Sequence, residues 1–329
     1  MQPEQPAITK PTAPRNVKTA LRYAAMAVLT VGPLAYVGYQ VADGWPALAE
    51  RSWHLSWPYL GLSCGLLLLN FLLVSWTWAQ TFQSLHPGTR VPLRHTFAII
   101  YTAQLGRYIP GKIWIWLGQA YLAERFGYRK ADALTAGAIQ IICGNAASAA
   151  VFGLTLWGMG QPLWLCFLMI AISLGVMAAL LVAPARLEGW YNTRRLKQGK
   201  DPVRLVASPP AMIKVYFIMT LAWAEHCLAF AALAWAVLPA GGDDFFELAT
   251  AYNLAYHVGL FLLIVPGGLG VREGTLTALL APRLGEAPAG MLALVQRLWF
   301  LVGEAAAFGL AWLIAYREGV LAGKRSDPL

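Results

Sequence analysis

Apolar residues are gathered along the chain in long stretches that are separated by short polar connections. Six stretches run for about 20 residues or more, the length that an α-helix needs to cross the hydrocarbon core of a bilayer. The pattern therefore predicts six transmembrane helices. They are expected over Leu21–Val41, Trp57–Gln80, Ala131–Trp157, Leu163–Val182, Met212–Leu238 and Gly290–Tyr316.

Two further apolar stretches, Phe97–Ala123 and Leu248–Leu280, are broken by proline and glycine. The first break reads Arg107-Tyr108-Ile109-Pro110-Gly111-Lys112, and the second reads Pro266-Gly267-Gly268-Leu269-Gly270-Val271-Arg272-Glu273-Gly274. Proline removes a backbone donor, and glycine costs about 1 kcal/mol in a helix interior, so neither stretch fits an ordinary spanning helix. A matched pair of interrupted apolar segments, one in each half of a chain, points to the binding site of a transporter.

Composition places the chain among integral membrane proteins. Of its 329 residues, 58% are hydrophobic and only 12% are charged, and the mean hydropathy is +0.54, which excludes an ordinary soluble globule. The net charge of +9 would suggest a nucleic-acid partner in a soluble protein. Here the basic residues cluster in a few short connections, so we attribute the positive charge to the orientation of the spans in the membrane. We expect no nucleic acid as a partner.

The distribution of basic residues also predicts the orientation of the spans. Cytoplasmic loops carry an excess of Lys and Arg, so the basic connections are placed inside. Both tails, residues 1–20 and 319–329, are then cytoplasmic and flank one polytopic membrane domain over residues 21–318. The first span is expected to be retained rather than cleaved, because a polar tail precedes it and no small-residue cleavage site follows it.

This orientation requires each broken stretch to enter and leave the bilayer on the same side. Basic residues flank the first stretch at both ends, so it is expected to dip in from the cytoplasm. The second follows an acidic connection with Asp243, Asp244 and Glu247, so it is expected to dip in from outside. Re-entrant backbone is tolerated at membrane depth only where it is buried in protein or lines a wet cavity. Two kinked full spans are the alternative.

The two breaks belong to an internal repeat. Without gaps, Pro110–Leu154 aligns with Pro266–Leu310, and the run Ala149–Leu154 meets Ala305–Leu310. We expect one repeat over residues 57–157 and a second over residues 212–316. An odd number of crossings separates equivalent points, which makes the halves inverted. The predicted fold is an all-α integral membrane protein with six transmembrane helices, two re-entrant helical hairpins and an inverted-topology repeat, an architecture found in transporters.

The breaks also supply the candidate binding site, and their chemistry favours an anion. A half-helix that begins after each break presents amides without internal partners and the positive end of its dipole, and glycine lets a ligand approach the backbone. Arginine adds bidentate recognition of phosphate. The predicted substrate-binding residues are Arg107, Pro110, Gly111, Lys112, Pro266, Gly267, Gly268, Gly270, Arg272 and Glu273. The alternative is that the cations only anchor the hairpin tips to carboxylates or reach the interface.

Ionisable side chains also lie within the predicted spans, where a charged one costs at least about 2.5 to 3.5 kcal/mol. Glu225, Arg297 and Glu304 are candidates for coupling or gating, with internal hydrogen bonding as the alternative. Glu273 could instead neutralise Arg272 or Arg297. The four cysteines show no metal-binding spacing and are expected to pack as small apolar residues, so no metal, cofactor or catalytic residue is predicted.

The run from Gly106 to Trp114, followed by the run from Pro266 to Glu273, resembles the membrane domain of lysylphosphatidylglycerol synthases and their stand-alone relatives. The resemblance covers nearly all of the predicted membrane domain. It implies a lipid flippase or lipid transporter of the bacterial cytoplasmic membrane. The residues after Tyr316 are too few for the soluble aminoacyltransferase domain of those synthases, so lipid aminoacylation is not carried over.

The leading hypothesis is a transporter that moves an anionic phospholipid or a lipid-linked envelope precursor, with the headgroup phosphate between the hairpin tips. A polytopic transferase that uses a lipid-linked donor is the second, and the pair Asp243 and Asp244 would be its only acidic pair. A non-transporting partner of an envelope-building enzyme is the third. Membrane lipid is the expected partner, and self-association stays open.

Overall fold

The computed structural model describes residues 55–85, 90–108, 113–199, 208–238, 245–261 and 268–320, and the isolated positions 35, 39, 42 and 46. These parts of the chain contain helices and no β-strand. The α-helices are α1 (Trp57–Leu85), α2 (Leu93–Ala103), α3 (Ile113–Arg125), α4 (Lys130–Gly158), α5 (Leu163–Lys197), α6 (Pro209–Val237), α7 (Phe245–Phe261), α8 (Val271–Leu284) and α9 (Glu286–Arg317), and a 3-10 helix over Gln104–Tyr108 continues α2.

Among the described residues, five helices are long and apolar enough to cross a membrane. They are α1, α4, α6, α9 and the Leu163–Val182 part of α5. Five of the six predicted spans are therefore confirmed to within a few residues, and Leu21–Val41 lies outside the described residues. The protein is a multi-pass helical membrane protein.

One boundary differs from the prediction, since α5 continues through the basic connection as far as Lys197. Two cation–aromatic pairs at helical spacing support this extension. The guanidinium of Arg194 lies 3.8 Å from the centre of the Trp190 ring, and that of Arg195 lies 5.8 Å from the centre of the Tyr191 ring. A 35-residue helix exceeds what the bilayer needs, so the basic end of α5 extends beyond its apolar part.

Both broken stretches form pairs of short helices. In the first, which we call hairpin 1, α2 and the 3-10 helix pack against α3; in the second, hairpin 2, α7 packs against α8. With 11, 13, 17 and 14 residues, these four α-helices are shorter than the 20 or so residues of a spanning helix. The tips, residues 109–112 and 262–267, lie outside the described part.

The same order of elements occurs twice: one long helix, one hairpin and a second long helix. The first long helices of the two series, α1 and α6, run antiparallel and share an extensive contact. Their pairs read in opposite directions along the two helices: Ser56 N donates to Ala236 O at 2.9 Å, Ser63 Oγ to Ala229 O at 2.7 Å, Asn70 Nδ2 to Ala222 O at 2.8 Å, and Lys214 Nζ to Gln80 Oε1 at 2.7 Å.

Helix α9 passes both hairpins, and they approach it from opposite ends. At its C-terminal end, Glu318 pairs with Arg94 at the base of hairpin 1. At its other end, α9 follows directly from α8, where Arg283 pairs with Glu247 at the base of hairpin 2. Between these ends, Glu304 contacts hairpin 1 beside its tip and Arg297 contacts hairpin 2 beside its tip. Arg107 and Glu273, the described residues that make these contacts, therefore both lie near the middle of α9.

The hairpins are anchored in the protein core. Ile99 and Ile100 of α2 are buried with Trp78 and Phe82 of α1, in a cluster that also contains Trp299 and Phe300 of α9. A second cluster joins hairpin 2 to α6 and α9, and its members include Phe230, Leu248, Tyr252, Leu276 and Leu280. This burial holds the short helices in place although each is too short to span the bilayer alone.

Candidate functional site

A cavity of about 310 Å³ lies where the two hairpins meet. The wall residues from hairpin 1 are Ile100, Tyr101, Gln104, Arg107, Ile115 and Gln119. Those from hairpin 2 are Tyr256, Gly259, Leu260, Gly268 and Arg272. Helices α1, α4, α6 and α9 complete the wall. The lining is amphiphilic, since it combines apolar and aromatic side chains with asparagines, glutamines, two arginines and one glutamate, a composition that is common in ligand sites.

Arg272, in the first turn of α8, is the buried cation of this cavity. Its side chain lines the cavity although the residue is only 6% exposed. Nη2 donates to the hydroxyl of Tyr252 at 2.7 Å, and that hydroxyl lies 2.7 Å from Nε2 of His226. The rings of Tyr252, Tyr256 and Phe300 surround the guanidinium at 5.1, 4.9 and 5.5 Å. No carboxylate among the described residues pairs with it.

The first limb of hairpin 1 is α2 with the 3-10 helix, and the second limb is α3. Arg107, at the end of the first limb, is the second cation of the cavity. Nη1 lies 2.6 Å from Oε1 of Glu304, and Nη2 donates to Oε1 of Gln104 at 2.7 Å. All three side chains line the cavity. Arg107 therefore has an internal carboxylate partner, whereas Arg272 is held by a hydroxyl and aromatic faces.

The ring of Phe300 lies close to both guanidinium groups. It lies on α9 in the cavity wall, and its centre is 5.8 Å from the guanidinium carbon of Arg107 and 5.5 Å from that of Arg272. The negative face of an aromatic ring attracts cations, so one ring offsets part of the repulsion between two like charges held close together.

Glu273 points away from this arrangement. Its Oε2 accepts a hydrogen bond from the backbone amide of Gly270 at 2.7 Å, which caps its own helix. Its Oε1 lies 3.5 Å from Nε of Arg297, and the Glu273 carboxyl is fully buried. The sequence predicted that the first amides of this half-helix have no internal partner. For Gly270 this prediction is wrong, because its amide donates to the Glu273 carboxylate. Of the two neutralisation partners considered for Glu273, the structure pairs it with Arg297.

Two glycines precede α8, and one of them closely approaches α7. Gly268 has a φ of +68°, and a Cβ built on it would lie 3.1 Å from the carbonyl oxygen of Gly259. Gly270, the N-cap of α8, has a φ of +80°. These left-handed conformations favour glycine, which accounts for Gly268 and Gly270 in terms of backbone geometry.

Glu225 lies behind the cavity wall, at the contact between α1 and α6. Its Oε2 accepts from Nδ2 of Asn70 at 3.0 Å, and Asn70 lines the cavity. Its Oε1 is buried and has no hydrogen-bond partner among the described residues.

The predicted site residues thus fall into three groups. Arg107, Gly268, Arg272 and Glu304 line one cavity. Glu225, Gly270, Glu273 and Arg297 lie next to it and contact Asn70 or each other. Pro110, Gly111, Lys112, Pro266 and Gly267 lie outside the described residues.

Several cavity residues were missed by the sequence reasoning. Tyr252, Tyr256 and Phe300 look like ordinary aromatic members of apolar helices, and Gln104 precedes the first break by a few residues. The signal that could have found Gln104 is its spacing, since it lies three residues before Arg107 and thus on the same face of a 3-10 helix. The aromatic residues give no such signal. Among the described residues, no group of three or more His, Cys, Asp or Glu side chains could hold a metal ion.

A family model matches most of the chain. Residues 23–303 match the family model described as the lysylphosphatidylglycerol synthase TM region. None of the curated proteins compared with the chain matches it. The match covers most of the chain and includes Arg107, Arg272 and both hairpins. This protein is therefore a member of the lysylphosphatidylglycerol synthase transmembrane-region family.

Proposed function

We propose that the protein moves an anionic, phosphate-bearing phospholipid or lipid-linked envelope precursor across the bacterial cytoplasmic membrane. The headgroup binds in the cavity between the hairpins, and its phosphate is held by Arg272, with Arg107 close by. The hydrocarbon chains stay in the bilayer. Membership of a family named for the membrane region of a lipid-synthesising enzyme supports a lipid as the substrate.

The observation that carries this proposal is the state of Arg272. A buried charge is stable only when it is paired and hydrogen-bonded, and otherwise costs several kcal/mol. Arg272 is 6% exposed, lines the cavity and has no carboxylate partner among the described residues. A phosphate in the cavity would supply the missing negative charge through charge-assisted hydrogen bonds, which are stronger than neutral ones.

The cavity wall also fits a lipid rather than a small soluble anion. Much of it is apolar, and one of its members, Ile141 on α4, is 47% exposed, so the cavity is open at this point. We propose that this opening faces the hydrocarbon of the bilayer. An amphiphile could therefore place its headgroup inside while its chains remain in the hydrocarbon.

We further propose that the two series of helices form an inverted repeat and that each hairpin is re-entrant. The antiparallel pairing of α1 with α6 and the approach of the hairpins from opposite ends of α9 support this arrangement. Rocking one repeat against the other would open the cavity to each leaflet in turn, as in other transporters built from inverted repeats. Both termini would then be cytoplasmic.

The proposal is tested by transport in liposomes that contain a trace of fluorescent phosphatidylglycerol. Arg272→Gln removes the charge but keeps a shorter polar side chain, and we expect transport to fall at least about tenfold, because a hydrogen bond to a charged group contributes about 1.5 to 3 kcal/mol. Arg129→Gln is the matched control, since Arg129 is exposed, does not line the cavity and lies 3.6 Å from the carboxylate of Asp132.

Equal transport by wild type and a well-folded Arg272→Gln variant would remove Arg272 from the mechanism. If the wild-type protein moves no anionic lipid across the membrane, the proposal as a whole is overturned.

A further inference from the structure

The contact between Glu225 and Asn70 joins the two halves of the molecule. Asn70 belongs to α1, the first helix of the first series, and Glu225 belongs to α6, the first helix of the second. Glu225 is near the middle of the 29-residue α6, so roughly 18 Å or more of helix separates it from either end. It therefore lies near the centre of the bilayer.

The carboxyl group of Glu225 is poorly compensated there. One oxygen accepts from Asn70 at 3.0 Å, and the other is buried without a hydrogen-bond partner in the described chain. The two other glutamates beside the cavity differ, because Glu273 pairs with Arg297 and Glu304 pairs with Arg107. No salt bridge among the described residues includes Glu225. An ionised carboxylate with one neutral donor is costly in this surrounding, and a bound proton removes that cost.

The helices packed around Glu225 offer few charges. Helix α1 carries no charged side chain. Away from the helix ends, the titratable or charged residues of α6 and of the helices packed against it are Tyr59 and Cys64 on α1, Cys143 on α4, Lys214, Tyr216, His226 and Cys227 on α6, Tyr252, Tyr256 and His257 on α7, and Arg297 and Glu304 on α9. Helix α5, which contacts α6 through Ser173 and Tyr216, adds Cys166 and, beyond its apolar part, Arg186, Glu188 and Tyr191.

The basic members of this set are engaged elsewhere. Lys214 donates to Gln80, and Arg297 lies beside Glu273. Nε2 of His226 is hydrogen-bonded to the Tyr252 hydroxyl and not to Glu225.

Asn70 links the carboxyl group to the cavity and to the motion of the repeats. Its amide also donates to the carbonyl of Ala222, one turn before Glu225, and both Asn70 and Ala222 line the cavity. Sliding α1 against α6 would change the distance between Asn70 and Glu225 and the access of water to the carboxyl group. A carboxyl group whose surroundings differ between two conformations binds protons with different affinity in each, and that difference couples the two equilibria.

We infer that Glu225 is a proton-binding site that couples lipid movement to the transmembrane proton gradient, an inference that rests on the proposed lipid transport. In the conformation described here Glu225 holds a proton, with Asn70 as its partner. In the conformation in which the repeats have moved, the carboxyl group meets water and releases the proton. One proton then accompanies or exchanges with each lipid.

The test uses phosphatidylcholine liposomes with a trace of fluorescent phosphatidylglycerol and an imposed gradient of one pH unit. For one coupled proton per lipid, the ratio of label between the leaflets shifts by up to about tenfold in the wild type, because about 1.4 kcal/mol corresponds to a factor of ten. Glu225→Gln still moves the lipid but its ratio ignores the gradient. Glu286→Gln, which removes an exposed carboxyl group at the start of α9, responds like the wild type.

Two results overturn the inference and leave lipid transport intact: a Glu225→Gln variant that responds like the wild type, or a wild type whose transport ignores the gradient. Infrared spectroscopy of the purified protein gives a second readout that needs no transport. The wild type at pH 7 should show a protonated-carboxyl band that is absent from Glu225→Gln and kept in Glu286→Gln. Absence of a band that depends on Glu225 overturns the proton site, even if the protein moves no lipid at all.

Discussion

At the scale of single residues, close backbone approaches shape the site as much as charges do. Gly106, in the 3-10 helix of hairpin 1, faces the backbone of the opposite limb. A Cβ built there would lie 2.7 Å from the amide nitrogen of Ile115 and 2.7 Å from the carbonyl carbon of Trp114. Backbone atoms cannot rotate away as a flexible side chain can, so any side chain at this position would push apart the limb that carries Arg107.

Gly106→Ala should therefore destabilise the protein by about 1 to 3 kcal/mol, the usual cost of overpacking a close contact. The measurement is thermal unfolding in detergent. Gly65→Ala is the matched control, because a Cβ on Gly65 in α1 meets nothing within 4 Å, and alanine is the better helix former. A Gly106→Ala variant that unfolds at the same temperature as Gly65→Ala would show that the limbs of hairpin 1 do not pack as described.

Charged residues at the breaks could be predicted from the sequence, whereas their partners could not. Arg107 and Arg272 stand out because a cation within an apolar stretch needs a reason. Phe300 does not, because one phenylalanine in an apolar helix is indistinguishable from a packing residue until the helix is oriented. Asn70 is similar, since its role depends on which residue of α6 faces it.

At the scale of elements, hairpin 1 is fastened to the end of α9 by a cluster outside the apolar spans. Arg94 pairs with Glu318 at 2.9 Å, and Arg125 donates from two nitrogens to the carbonyl of Val320 at 2.9 and 2.6 Å. Nδ1 of His95 lies 2.7 Å from the hydroxyl of Tyr128. Burial raises the pKa of Tyr128 to about 12, so this hydroxyl stays protonated at physiological pH.

His95 should make the stability of this contact between hairpin 1 and α9 depend on pH. Burial lowers the pKa of His95 below its ordinary value of 6.5, Arg94 acts in the same direction, and Glu318 opposes both. A histidine with a lowered pKa in the folded state is held neutral, so its contribution to stability is present above the ordinary value and is lost as the pH falls through the folded-state pKa. Thermal unfolding in detergent should thus show a larger loss of stability between pH 8 and pH 5 in the wild type than in His95→Gln. Identical losses would contradict this prediction.

The elements themselves were largely predictable. Five spans follow from apolar length alone, and the two breaks follow from proline and glycine in apolar surroundings. The extension of α5 to Lys197 was missed because a run of basic residues indicates a cytoplasmic connection but not its conformation, and the cation–aromatic pairs that support the helix appear only at helical spacing.

At the scale of the whole molecule, the account depends on how the two hairpins sit in the membrane. The base of hairpin 1 lies beside Glu318, and Arg107, just before its tip, contacts Glu304, about 21 Å back along α9. Hairpin 2 approaches Arg297 from the start of the same helix. Charge and the repeat led to the prediction of oppositely inserted hairpins, but the sequence could not show that Arg107 and Arg272 lie beside one aromatic ring, because that depends on how several helices pack.

The most direct test of the central claim is the accessibility of single cysteines placed at the two hairpin bases. In a variant whose four native cysteines are replaced, Arg129→Cys lies just after hairpin 1 and Glu286→Cys just after hairpin 2, and both positions are exposed. A membrane-impermeant maleimide should label Glu286→Cys from the outside of spheroplasts and Arg129→Cys only from the cytoplasmic side of inverted vesicles. Labelling of both from the same side would contradict two hairpins that enter from opposite faces, and with them the cavity as a site of lipid passage.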